Sequence, residues 1–199
     1  GGRMATRRMG GARLDHGAQY FTVRDPAFAR WVEDWKRAGA IREWFRKLPG
    51  ESEGPGHPRY AGVDGMNRVG KTLAEGMDVQ TGVRVEAAER NGRGWRLFAG
   101  GAAVAEGEFL LLTAPVPQAL AILDKGGTAL PQTDDEKLRA VRYECCLAGL
   151  AVLDAPSALP DPGGTKVTNG GPVVWLADNR HKGISDVPAV TLHSSHAFA

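Results

Sequence analysis

Cysteine is scarce in this sequence: Cys145 and Cys146 are the only two, and they are neighbours. Adjacent cysteines rarely bridge, so a disulfide scaffold is excluded and a reducing compartment is expected, the cytoplasm by default. Long apolar runs are lacking too. The longest, Phe109 to Ala114, is strand-sized, so no membrane partner is expected. Charge of one sign is not in excess: the formal net charge is +2, and apart from Arg3, Arg7, Arg8 and Arg13 the basic residues are dispersed. A nucleic-acid partner is therefore not expected. No His/Cys/Asp/Glu set has zinc-like spacing, so no metal is assigned. A Gly-x-Ser-x-Gly elbow, an internal repeat and a readable signal peptide are missing as well.

Glycine and proline, by contrast, are plentiful and cut 199 residues into short elements. Leu14 to Thr22 is expected to be extended, with a break at Gly17. Asp25-Pro26 signals a helix start, with Phe28, Trp31, Val32 and Trp35 on one face and Gly39 as its end. Ala40 to Leu48 is expected as a strand, and Asn67 to Glu75 as a short helix stopped by Gly76. The valines at 79, 83 and 85 predict a strand over Val79 to Glu89. A hairpin follows across Asn91-Gly92, ending in a buried strand up to Thr113. Helices are expected after Pro115 and over Asp134 to Val141. Cys145 to Leu153, Val173 to Ala177 and Ala189 to His193 are expected to form a second sheet, with Cys146 in its core.

Gly65, Gly70, Lys71 and Thr72 fit the phosphate-loop pattern G-x-x-x-x-G-K-[ST] letter for letter. That motif needs a buried strand immediately before it and a helix immediately after. Arg59 to Asp64 is a poor buried strand, and a helix starting near Asn67 would run through the supposed loop.

Two segments near the start carry more. Gly1-Gly2-Arg3-Met4 precedes Asp15-x-Gly17-Ala18-Gln19-Tyr20-Phe21. Paired glycines let a backbone approach phosphate closely, and Arg3 adds a fork of donors. Together the segments resemble the renalase-like branch of the FAD-dependent amine oxidase superfamily. Later stretches are similar to it as well: Gly65-Met66 through Leu73, Val79 to Val85, Leu110 to Pro117, Tyr143 to Leu147, Trp175 to Arg180 and Leu192 to Ser195.

The resemblance implies a fold that is α/β plus α+β. An incomplete Rossmann-like FAD-binding domain (1–22 and 64–116) would be interleaved with a substrate domain built on an antiparallel sheet (23–63 and 117–199). It implies FAD as cofactor, held by Gly1, Gly2, Arg3, Met4, Gly17, Ala18, Gln19, Val85, Thr113 and Pro115. Gln19, Asn179 and His193 become the catalytic candidates, with Gly17 and Ala18 leaving room for the flavin ring. The implied activity is oxidation of misreduced NAD(P)H isomers, with dioxygen as acceptor. A flavin amine oxidase and a non-catalytic flavin-fold binding module are the alternatives. The family's first strand-turn-helix, about 30 residues with G-x-G-x-x-G, would lie upstream of Gly1, and its closing FAD segment downstream of Ala199. The chain is thus expected to be a fragment that by itself binds FAD weakly or not at all.

Overall fold

A computed structural model describes residues 2–51 and 53–199. The chain forms two compact units, one from residues 1–77 and 144–199, the other from residues 78–143. These divisions fall at other points than the expected functional boundaries. The architecture mixes helices with small sheets, and every strand pair among the described residues is antiparallel.

The first unit opens with the hairpin β1 (Thr6–Met9) and β2 (Ala12–Asp15), registered Thr6 opposite Asp15. Helix α1 (Pro26–Arg37) starts where the sequence directs: Asp25 accepts a hydrogen bond from the Phe28 N–H at 2.8 Å, and proline fills the first turn. Val32 and Trp35 are buried and Phe28 packs beside them, whereas Trp31 is largely exposed. The buried line runs 28, 32, 35, so position 31 sits on the flank of the apolar stripe. Strands β3 (Ile41–Phe45) and β4 (Arg59–Gly62) form a second hairpin, and Phe21 bridges to Tyr60 beside it.

Helix α2 (Asn67–Leu73) contains Gly70, Lys71 and Thr72, which excludes the phosphate-loop reading. Its N-terminal donors are already taken: the Met66 N–H bonds to Asp15 Oδ1 at 2.9 Å and the Asn67 N–H to Thr6 Oγ1 at 3.3 Å. Gly65 permits this approach, with φ of +117° and no room for a Cβ against Thr6.

The second unit holds the meander β5 (Ala87–Asn91), β6 (Gly94–Ala99) and β7 (Ala102–Gly107), followed by α3 (Val116–Lys125) and α4 (Gln132–Arg139). Two expectations fail here. The predicted strand over 79–89 begins only at Ala87, leaving Val79 and Val83 exposed. The predicted buried strand up to Thr113 stops at Gly107, and Phe109 (91% exposed) and Leu111 (85%) lie in solvent. An apolar run becomes a strand only when a neighbour supplies its ladder; among the described residues the first stretch has only the Glu86 N–H bond to the Phe98 carbonyl at 2.8 Å, and no strand pairs with the second.

The chain then returns to the first unit and builds the four-stranded sheet β8-β11-β10-β9 from β8 (Ala148–Val152), β9 (Gly164–Lys166), β10 (Val173–Asp178) and β11 (Ala189–Ser194). The strand expected from Cys145 starts only at Ala148. Cys146, expected in the core, is exposed.

Candidate functional site

Asp15 is the hub of the first unit. It is fully buried at the end of β2, although alternation from buried Ala12 and Leu14 would place it on the same face as Arg13. A carboxylate there has to be paired and hydrogen-bonded. Thr6 Oγ1 donates to its Oδ1 at 2.5 Å, beside the Met66 N–H, and Lys182 Nζ donates to Oδ2 at 2.7 Å. Its own N–H donates to Asn179 Oδ1 at 3.3 Å.

Lys182 is also wholly buried. Its ammonium lies 4.8 Å from the centre of the Trp44 ring and 3.5 Å from Gln19 Oε1. Burial pulls its pKa below the ordinary lysine value, and Asp15 opposes that shift. Arg42 is lowered by the same cause, and its Nη2 is buried with no partner among the described residues.

This hub orients Gln19. Its Nε2 donates to the Asp15 carbonyl at 2.6 Å and to the Gly17 carbonyl at 3.1 Å, while Oε1 faces Lys182. The amide therefore has one consistent orientation. Asn179 is fixed as well, donating to the Ala189 carbonyl at 3.3 Å and to Thr191 Oγ1 at 3.0 Å. With Oδ1 accepting from the Asp15 N–H and no exposed surface, it ties β2 to the β10–β11 turn. It supports the site without lining it.

The pocket itself, about 470 Å³, is lined by Gly17, Ala18, Gln19 and Tyr20 on one side. On the other stands a row across three strands: Lys166 on β9 is registered with Trp175 on β10, and Trp175 with His193 on β11. Residues directly opposite in an antiparallel pair share a face, so all three present to one wall. Tyr20 and Trp175 have ring centres 5.8 Å apart. Trp175 is buried, and its Nε1 has no hydrogen-bond partner among the described residues.

His193 Nε2 lies 3.2 Å from the His16 carbonyl, which can only accept, so Nε2 carries the proton and Nδ1 is the acceptor. Half-burial pushes its pKa below the ordinary histidine value, Lys182 and His16 adding to the effect against the His16 carbonyl bond. This setting favours the neutral imidazole.

The other sequence candidates fall elsewhere. Gly1 lies outside the described residues. Gly2, Arg3 and Met4 form a single 3-10 turn in which Gly2 has φ of +58° and Arg3 is exposed. Gly17 was expected to leave space for a ring, but its missing Cβ instead admits the Arg3 carbonyl, to which the Ala18 N–H donates at 2.7 Å. Val85, Thr113 and Pro115 belong to the second unit. There Val85 and Ala114, the residue between Thr113 and Pro115, line a pocket of about 680 Å³ with Arg84 and Lys125.

Sequence reasoning passed over Lys182 and Lys166 entirely. Lys182 sits in a polar turn, Arg180 to Gly183, and no local signal in the sequence marks it as buried. No protein-family model matches the chain. No helix among the described residues is long and apolar enough to cross a membrane.

The residues present fit the ring of a flavin or of a nicotinamide. They offer two aromatic rings set 58° apart and an oriented amide beside close-approaching backbone. Such a cavity falls within the usual range for small-ligand sites.

Proposed function

We propose that this chain is part of an FAD-dependent oxidoreductase of the renalase-like type, oxidising misreduced isomers of NAD(P)H. One observation supports the reading above the others. Gly17-Ala18-Gln19 and His193, far apart in sequence and singled out by the resemblance, line the same pocket. On this reading Gly2, Arg3 and Met4 serve the FAD diphosphate.

The chemistry a bound flavin supplies is two-electron acceptance of a substrate hydride, with both electrons delivered to dioxygen as hydrogen peroxide. The chain's own task is orientation. Tyr20 and Trp175, with ring planes 58° apart, give a nicotinamide ring an aromatic corner to rest against, and Gln19 is held rigid beside them. Neutral His193 offers an acceptor at Nδ1 and no proton, which suits a hydride transfer that needs neither strong acid nor strong base.

The Tyr20–Trp175 pair also favours a second reading, amine oxidation, because an aromatic pair attracts an ammonium group. The test is the visible spectrum of the protein expressed with its flanking coding sequence and loaded with FAD. A flavin spectrum is expected. A folded protein that stays colourless after loading contradicts both enzymatic readings and leaves a binding module.

A further inference from the structure

The wall facing Gln19 carries a cation, and its setting is informative. Lys166 is exposed at the end of β9, side by side with buried Trp175. Its nearest acidic partner is Glu51, with Nζ to Oε1 at 3.8 Å, beyond hydrogen-bond range. Glu51 is otherwise engaged: Oε1 accepts from Arg59 Nη2 at 2.7 Å and Oε2 from the Leu48 N–H at 3.0 Å. Two other donors of the same unit, Trp175 Nε1 and Arg42 Nη2, are buried without acceptors among the described residues. Lys182 is matched by Asp15, and no carboxylate lines the pocket among the described residues.

An aromatic corner with an ammonium at its edge, 3.8 Å from its only acidic neighbour among the described residues, suits one chemical class. From this we propose that Lys166 makes the pocket selective for ligands pairing a flat ring with an anionic group such as a phosphate ester. The inference rests on the proposed oxidoreductase reading for its substrate. It extends that reading by naming the residue that separates nucleotides from amines. An ammonium ligand could use the Tyr20–Trp175 pair but would meet Lys166 as a like charge. The amine reading is thereby disfavoured by repulsion as well as by lost attraction. A phosphate gains a charge-assisted hydrogen bond from Nζ.

The test is a tryptophan-fluorescence titration of the full-length protein, anaerobic and with dithionite present so that no turnover occurs. The probes are dihydronicotinamide mononucleotide, the riboside lacking its phosphate, and benzylamine. The expected result is mononucleotide binding about tenfold tighter than the riboside, the scale of one hydrogen bond to a charged group, with the preference shrinking as salt rises. Lys166→Ala should make the two equal, and Lys166→Glu should favour benzylamine. Because Lys166 is exposed, neither change threatens the fold, which circular dichroism checks.

Equal affinities in the unaltered protein, a preference that survives Lys166→Ala, or no quenching by any probe would overturn the proposal. A colourless protein that still prefers the mononucleotide would sink the oxidoreductase reading alone. A flavin spectrum without the preference would sink the Lys166 assignment alone.

Discussion

Asp15 and Lys182 have opposite charges and no exposure, so each depends on the other. Removing one partner of such a pair typically costs about 3–5 kcal/mol, because the survivor is left charged and buried. Lys182→Met should therefore lower stability by about that amount in urea melts. The double variant Asp15→Asn/Lys182→Met should recover much of the loss. A double variant no better than the single one would show that Thr6, Met66 and Asn179, more than the charge pair, hold the hub together.

His193 gives a pH signature with a definite sign. Its folded pKa lies below the unfolded value of about 6.5. Above that value the contribution is neutral. As pH falls through the unfolded pKa toward the folded one, the unfolded state takes up more protons and stability is lost. His193→Gln should flatten this acid limb in melts between neutral and mildly acidic pH. An unchanged limb would place the titrating group elsewhere. At this scale Gln19 and His193 were legible in the sequence because motif letters marked them. Lys182 was not, since its meaning comes from a carboxylate far away in the chain.

Among the elements, those specified locally behave as expected. Helix α1 carries its own cap and stripe, so Asp25→Ala should cost about 1 kcal/mol by thermal or urea unfolding. A negligible cost would show that packing by Val32 and Trp35, not the cap, fixes the helix start. Three strands of the β8-β11-β10-β9 sheet, β8, β10 and β11, were also legible as bounded apolar runs, whereas β9, the polar Gly164–Lys166, was not. The stretches 79–86 and 109–113 were not, because a strand needs a ladder partner and sequence cannot show whether one is supplied. Cys146 failed for the same reason: the strand expected to bury it starts two residues later. Both thiols should react with an aromatic disulfide reagent in the folded protein at near the rate for a free thiol. Protection of Cys146 would contradict its exposed setting.

At the scale of the whole molecule, the mixed helical and antiparallel architecture was readable from alternating short elements, whereas the division at 77/78 and 143/144 was not. Compact units follow contacts, and the chain leaves its first unit and returns to it without any compositional marker. The functional reading rests on the first unit's pocket, where segments 17–20 and 166–193 meet. The most direct test of that reading is anaerobic mixing of the FAD-loaded full-length protein with misreduced NAD(P)H isomers or with amines while the visible flavin absorbance is recorded. The account predicts bleaching by the dihydronicotinamide isomers alone, and one hydrogen peroxide per substrate when dioxygen is readmitted. Bleaching by amines alone, or by neither, would contradict it.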